Sequence, residues 1–195
     1  MLFRSVLLTD GWSHIFRKKA AVKFKFAFEE MEHRHSLLFE LFETGKISFD
    51  EYLTRVIFYQ KRTFTRAQFK RFIFEQSKPH PKMLRLMRAL KDKYGLKIFA
   101  LSNEARDLNA YRIKTFNLKE LFDAFISSCY VHVRKPDVEI FQLALDVSGA
   151  DIQKVLYIEN TPLFVELAQQ MGIQSILHKD YPSTCQKLKA FGLVL

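Results

Sequence analysis

The sequence predicts an α/β fold: a doubly wound parallel sheet, Rossmann-like, with a helical cap domain inserted near the N-terminus. The first observation is that short apolar runs alternate with helical segments in the second half of the chain, which is typical of parallel strands joined by helices. The second is that residues 11–78 carry helical patterns only. Pro79 and Pro81 separate the two regions, because closely spaced prolines interrupt a helix. We therefore assign residues 1–10 and 79–195 to an α/β core domain and residues 11–78 to the cap.

The predicted elements follow from periodicity and from start and stop signals. Two capping boxes, Ser48-Phe49-Asp50-Glu51 and Thr65-Arg66-Ala67-Gln68, open helices in the cap. We expect helices at 13–26, 29–42, 48–59, 65–75, 81–93, 108–116, 138–147, 162–171 and 183–191. We expect strands at 97–101, 124–128, 155–158 and 175–177, and the apolar residues 1–8 are compatible with one more.

Composition limits the classes of partner. Hydrophobic residues make up 48% of the 195, so we expect a globular protein with a sizeable core. The formal charge is +10, which favours anionic partners, but the basic residues are scattered over amphipathic segments and form no nucleic-acid reader motif.

Cys129 and Cys185 fit neither a zinc pattern nor a disulfide framework, so a reducing cytoplasm is the expected location. No apolar run approaches the roughly 20 residues of a membrane helix, and we expect no membrane partner.

Polar residues follow three of the predicted strands. Ser102 and Asn103 come directly after the first, Lys135 follows the second, and Glu159 and Asn160 follow the third. Each has an ordinary alternative: Ser102 and Asn103 as helix caps, Lys135 in a plain turn, and Glu159 as an acid that complements a helix dipole. Because parallel strands bring their carboxyl ends to one edge of a sheet, we expect these side chains to meet there. A hydroxyl and a lysine suit a phosphate, and a carboxylate beside an amide oxygen suits Mg²⁺.

In this order the motifs resemble those of the haloacid dehalogenase-like hydrolase superfamily, in its helical-cap subgroup. Leu101-Ser102-Asn103 looks like the second motif, Arg134-Lys135-Pro136 like the third and Tyr157-Ile158-Glu159-Asn160 like the fourth. The resemblance implies Mg²⁺-dependent hydrolysis of a small phosphorylated molecule through an aspartyl-phosphate. It makes Ser102, Asn103 and Lys135 the catalytic candidates and Glu159 and Asn160 the Mg²⁺ ligands. It also implies that the cap shapes the substrate pocket.

The chain departs from the family pattern at two places. The first motif should be a strand ending in Asp-x-Asp or Asp-x-Gly, whose first aspartate attacks phosphorus, and no such pair occurs near the start of this chain. Aligning Val6–Trp12 with the family places either Leu2 or Leu8 at the nucleophile, and leucine has no lone pair to offer. In the second register Asp10 matches the second aspartate, so Asp10 is a further catalytic candidate. Asn160 stands where an acid is usual, so we expect weaker Mg²⁺ binding.

Two hypotheses remain open for the function. The chain is either a phosphatase-type hydrolase in a shortened or altered form, or a non-catalytic descendant that binds a phosphorylated ligand or a protein partner. An upstream sequence with Asp-x-Gly-Gly before Val6 would favour the first hypothesis, and a genuine start at Met1 would favour the second. The substrate and the oligomeric state have no readable signal in the sequence.

Overall fold

The computed structural model describes residues 5–195. Within them the α-helices are α1 (His14–Phe24), α2 (Phe28–Glu43), α3 (Phe49–Val56), α4 (Arg66–Glu75), α5 (Pro81–Tyr94), α6 (Arg106–Thr115), α7 (Ser128–Val131), α8 (Glu139–Ser148), α9 (Pro162–Gln170) and α10 (Tyr181–Ala190). The strands are β1 (Phe99–Ser102), β2 (Ala124–Ser127), β3 (Leu156–Glu159) and β4 (Gln174–Leu177). Helix and strand therefore alternate from α5 onward, as the sequence pattern predicts. The short helix α7 carries no sequence signal that we recognised.

The strands pair in parallel, which confirms the predicted fold class. β1 runs beside β2 with Phe99 opposite Ala124, and β3 runs beside β4 with Leu156 opposite Gln174. Across residues 5–195 these are two separate two-stranded sheets, with no hydrogen-bonded ladder between them. Periodicity predicts that a segment is a strand, but it does not say which strands are neighbours.

Helices cover both faces of the strands. Because side chains alternate along a strand, Ala100 and Ile158 face one apolar cluster, with α5 and α10. Leu101 and Tyr157 face the other, with α8 and α9. Apolar burial on both faces explains why these strands read as nearly continuous hydrophobic runs.

The segment between Gly11 and Lys78 is helical, as expected, and contains α1–α4 with no strand. Both predicted capping boxes form: the Glu51 backbone N–H donates to Ser48 Oγ at 3.2 Å, and the Gln68 backbone N–H donates to Thr65 Oγ1 at 3.2 Å. The segment has an apolar cluster rich in aromatic rings, which also includes Ala105 and Leu108 near the start of α6. The helical segment therefore packs on α6 through this cluster.

Two linkers join this helical segment to the rest of the chain, and they run side by side. The Thr9 N–H donates to the Lys78 carbonyl at 2.8 Å, and the His80 N–H donates to the Leu7 carbonyl at 2.7 Å. The expected strand over residues 1–8 is wrong for its described part, while residues 1–4 lie outside the described range. Ser5 adopts a positive φ of 65° and donates to the Leu8 carbonyl, so the chain turns there and makes only an isolated bridge to Pro79.

No helix within residues 5–195 combines the length and the apolar character needed to cross a membrane.

Candidate active site

Ser102 and Asn103 end β1, and neither caps a helix. The next helix begins at Arg106 with Ala105 as its N-cap and no side-chain cap, so the capping alternative for these two residues is wrong. Ser102 is fully buried and its hydroxyl donates to Ser127 Oγ at 3.3 Å, across the parallel pair. Asn103 donates from Nδ2 to the Lys135 carbonyl at 2.8 Å and accepts the Lys135 N–H at Oδ1 at 2.9 Å. The Asn103 amide thus fixes the backbone of the loop that carries Lys135.

Lys135 and Glu159 form a buried ion pair. The Lys135 ammonium donates to Glu159 Oε2 at 2.9 Å, and the two side chains are 1% and 0% exposed. The same ammonium donates to the Leu101 carbonyl and to the Tyr157 hydroxyl, each at 3.3 Å. Because Leu101 precedes Ser102 and Glu159 ends β3, the carboxyl ends of β1 and β3 meet at one edge. Lys135 joins the two strand ends.

Both oxygens of Glu159 accept hydrogen bonds. Oε1 accepts the N–H groups of Asn160 and Thr161 at 2.8 and 2.9 Å, and Oε2 accepts from Lys135 and from the Tyr157 hydroxyl at 2.7 Å. Burial alone would raise the pKa of Glu159, but the Lys135 charge and these donors outweigh burial and lower the pKa below its ordinary 4.5. Glu159 is therefore a stable carboxylate at neutral pH. A carboxylate has about four lone-pair sites, so its capacity is already used.

Tyr157 belongs to this cluster, and the sequence reasoning missed it. Its hydroxyl contacts both Lys135 and Glu159. Burial, and then the Glu159 charge, raise the pKa of Tyr157 well above its ordinary value, so the phenol stays protonated and donates. A signal was available, since residues two apart on a strand share a face and Tyr157 lies two residues before Glu159.

Asn160 and Asp10 are placed differently from the buried cluster. Asn160 is exposed and lines a cleft of about 860 Å³ together with Ser5 and His178. Asp10 lies in the first linker, between Thr9 and Gly11, and its carbonyl accepts the Trp12 N–H at 2.7 Å. Both are thus less enclosed than Lys135 and Glu159.

These residues do not fit a magnesium ion as they stand. The described chain contains no group of three or more His, Cys, Asp or Glu residues that could hold a metal. Mg²⁺ prefers carboxylate oxygens in octahedral geometry, but Glu159 is engaged by four donors, one of them a cation. Asn160 would add one neutral oxygen. Binding Mg²⁺ at Glu159 would require the Lys135 ammonium to move away.

The helical segment reaches the loop that carries Lys135. The end of α2 contributes Glu43, which pairs with Arg134 at 3.0 Å, and the Thr44 carbonyl, which lies 2.8 Å from His132 Nδ1. Ser128 Oγ donates to the Glu43 carbonyl at 2.6 Å. These contacts place the end of α2 beside the carboxyl ends of β1 and β2.

A second buried ion pair lies at the linkers. Glu104, directly after Ser102 and Asn103, pairs with Arg112, and both side chains are fully buried. Arg112 also donates to Ser77 Oγ at 2.9 Å and to the Thr9 carbonyl at 3.0 Å, so it contacts both linkers. The sequence reasoning did not single out either residue.

His178 follows β4, and Cys129 lies in α7. His178 Nδ1 lies 2.7 Å from Thr184 Oγ1, so a hydrogen bond holds the imidazole ring. Burial raises the pKa of Cys129 to about 12, so its thiol is unreactive at neutral pH.

A family model described as a hydrolase, haloacid dehalogenase-like hydrolase, matches residues 5–172. The chain belongs to this family. Solved members share the fold: a HAD family enzyme of Bacteroides thetaiotaomicron, 20% identical, covers 90% of each chain with a TM-score of 0.76. A second structure of that enzyme is a complex with magnesium and inorganic phosphate, with a TM-score of 0.74. The L-2-haloacid dehalogenase of Xanthobacter autotrophicus, 16% identical, has a TM-score of 0.61 over 96% of this chain and 80% of that one.

Curated relatives match about half of this chain. A phosphoglycolate phosphatase of Aquifex aeolicus is 26% identical over 101 residues, which are 52% of this chain and 47% of that protein. A bifunctional epoxide hydrolase 2 of Sus scrofa is 29% identical over 111 residues, which are 55% of this chain and 20% of that protein. The chain thus spans between about a fifth and about half of the length of these relatives.

Proposed function

We propose that this haloacid dehalogenase-like protein binds a small phosphorylated molecule at the carboxyl ends of β1 and β3 and hydrolyses it slowly or not at all. In this proposal the Ser102 hydroxyl and the Lys135 ammonium donate to the phosphate. Support comes from the Lys135 ammonium, which contacts the carbonyl of the residue before Ser102, and from Asn103, which holds the Lys135 backbone. A phosphate oxygen is a strong acceptor for both groups. Relatives named as phosphatases support the class of ligand.

The buried cluster of Lys135, Glu159 and Tyr157 carries the proposal. Covalent phosphoryl transfer needs a carboxylate oxygen that is free to attack, while lysine and metal stabilise the charge around it. Glu159 instead accepts four hydrogen bonds, and its negative charge offsets the positive charge of Lys135. Removing a nucleophile leaves a residual rate several orders of magnitude lower.

We further propose that Mg²⁺ binds weakly at this edge. An incoming phosphate and an incoming cation would both compete for the Lys135–Glu159 pair, since each would have to displace one partner from the other. Phosphate paired with Lys135 would leave the Glu159 carboxylate buried without its cation, and Mg²⁺ at Glu159 would leave the Lys135 ammonium buried without its carboxylate. The cost of stranding Lys135 should therefore make Mg²⁺ binding weak.

Residues 11–78 are proposed as the cap that covers the ligand. The contacts of Glu43 with Arg134 and Ser128 support this placement, because they bring the end of α2 to the loop that carries Lys135. The alternative function, an active hydrolase, is favoured by the family match and would make Asp10 the attacking acid.

Two assays separate these functions. The purified chain is assayed with p-nitrophenyl phosphate and Mg²⁺ beside Asp10→Asn, and its melting temperature is measured with inorganic phosphate. We expect turnover near background and a rise in melting temperature that Lys135→Met abolishes. Robust turnover lost in Asp10→Asn would contradict the proposal and identify Asp10 as the nucleophile. Absence of any phosphate effect would refute the binding site.

A further inference from the structure

The excess positive charge of the chain is concentrated in two runs that contain no acidic residue. They are residues 11–28 and 52–74. Together they hold 11 of the 31 Lys and Arg residues and none of the 21 Asp and Glu residues, which leaves 20 basic against 21 acidic residues elsewhere. The basic residues are thus less scattered than the sequence pattern indicates, because the net charge of +10 comes from these two runs.

The fold brings the two runs together through their aromatic rings. The ring of Phe24, in the first run, lies 4.5 Å from that of Phe64 and 5.5 Å from that of Phe72, both in the second. These rings belong to the apolar cluster of the helical segment. Lys23 and Lys25, which flank Phe24 in the sequence, are exposed. The two runs therefore form one surface, with rings inside and cations outside.

Cations of this surface lie over aromatic rings. The Lys23 ammonium is 5.0 Å from the centre of the Phe72 ring, and the Arg62 guanidinium is 5.4 Å from that of Phe26. A cation over a ring keeps its full charge, because the ring is neutral. Within residues 5–195, two of the eleven cations pair with a carboxylate: Arg17 with Glu32 and Lys70 with Asp50. The surface therefore stays positive and attracts anionic partners.

The outer face of α1 combines lysines with exposed apolar side chains. Ile15 is 64% exposed and Val22 is 80% exposed. A helix turns by about 100° per residue, so these two side chains project only about 20° apart. On the same helix, the exposed Lys18 lies to one side of them and the exposed Lys19 and Lys23 lie to the other. We call these five residues the α1 face: an apolar strip with lysines along both borders.

The α1 face suits an anionic lipid bilayer. Ile15 and Val22 project from a helix, so a protein partner would need a pocket shaped for them, whereas the headgroup region of a bilayer accepts apolar side chains without one. Lysines that border an apolar strip can bury their carbon chains and extend their ammonium groups to lipid phosphates. Apolar insertion and charge attraction thus act on the same face.

Nucleic acid suits this surface less well. Single strands bind by stacking bases on open aromatic faces and offer little to projecting aliphatic side chains. The Tyr59 ring, in the second run, already carries two guanidinium groups, Arg34 at 3.7 Å and Arg62 at 5.1 Å from its centre. It is therefore not open for stacking.

We propose that the α1 face binds the surface of a bilayer containing anionic lipids, with Ile15 and Val22 in the headgroup region and the three lysines on lipid phosphates. Contact of this kind lies on the membrane surface and needs no spanning helix. Each lysine near such a surface contributes about fivefold to the affinity. This inference is independent of phosphate binding at the carboxyl edge of the strands.

The test is sedimentation of the whole chain with vesicles of phosphatidylcholine and phosphatidylserine in a ratio of about two to one, and with phosphatidylcholine vesicles alone. We expect binding to the first kind only, weakened by high salt. Lys18→Glu/Lys19→Glu should weaken binding about tenfold or more. Lys114→Glu/Lys119→Glu is the matched control, since it changes net charge equally at exposed positions outside both runs, and it should have little effect. Equal losses in the two double variants, or no binding by the unaltered chain, would overturn the proposal.

Val22→Trp adds a readout that is specific for lipid. The native Trp12 is buried, so a tryptophan at position 22 should dominate any change in emission on binding. Its emission should shift to shorter wavelength with the phosphatidylserine vesicles, while that of Val147→Trp, at an exposed position of α8, should not. An unshifted Val22→Trp would refute insertion of the α1 face. Tighter binding to a poly-glutamate peptide or to an oligonucleotide than to the vesicles would refute the bilayer as its partner.

Discussion

Breaking the Lys135–Glu159 pair should destabilise the fold strongly. Lys135→Met leaves the Glu159 carboxylate, which is 0% exposed, with its three neutral donors but no cation. Removing one partner of a buried ion pair typically costs about 3–5 kcal/mol. For a domain of this size each kcal/mol lowers the melting temperature by about 2–4 °C, so we expect a decrease of roughly 6–20 °C.

The double variant Lys135→Met/Glu159→Gln tests the reasoning more sharply. Each single change strands a buried charge, whereas the double change removes both charges. The double variant should therefore cost less than the sum of the two single costs, with a coupling energy at the upper end of the usual range, about 3 kcal/mol. Urea unfolding followed by circular dichroism measures all three values.

Lys70→Met is the matched control. Lys70 pairs with Asp50 at 2.8 Å, almost the same distance, but Asp50 is 64% exposed. An exposed pair of this kind contributes about 0–1 kcal/mol. Two results would refute a strongly stabilising Lys135–Glu159 pair. One is that Lys135→Met costs no more than Lys70→Met. The other is that the costs of Lys135→Met and Glu159→Gln add up to that of the double variant within about 0.5 kcal/mol.

Three further predictions concern the site and the linkers. The pKa of Glu159 is lower in the folded chain than its ordinary 4.5, so the Glu159 carboxylate stabilises the fold above about pH 4.5 and this stabilisation is lost as pH falls further. Glu159→Gln should therefore flatten the pH dependence of the unfolding free energy, measured by urea titrations between pH 3 and 7. Arg112→Met should cost about 3–5 kcal/mol and speed proteolysis at both linkers, since Arg112 pairs with Glu104 and contacts Ser77 and Thr9. Gly11→Ala should cost more than the roughly 1–2 kcal/mol of a left-handed residue, because φ is +69° and its Cβ would collide with the Arg112 guanidinium.

Each of these predictions has a result that would contradict it. Identical pH profiles of the unfolding free energy for wild type and Glu159→Gln would show that Glu159 does not cause the pH dependence. Unchanged proteolysis in Arg112→Met would mean that the linkers are held by other contacts. Gly95→Ala is the control for Gly11, because Gly95 has a φ of +62° with nothing within 4 Å of an added Cβ, and equal costs for the two would exclude the collision.

Much of the local structure is determined by the sequence alone. The capping boxes at Ser48 and Thr65 set the starts of α3 and α4 because their reciprocal hydrogen bonds involve residues only three apart. The alternation of apolar runs with helical segments identified the four described strands and predicted that they are parallel. This was possible because periodicity is a property of residues close together in the sequence. Motif order was enough to name Ser102, Lys135 and Glu159 as residues of one edge.

The tertiary structure decided what those residues do to one another. No spacing in the sequence says that Lys135 and Glu159, 24 residues apart, neutralise each other, or that Tyr157 completes their cluster. Nor does it say that Arg112 reaches both linkers, 35 residues from Ser77 and 103 from Thr9. Such pairings follow from which strands and loops become neighbours. That choice depends on burial summed over the whole chain, so no local pattern contains it.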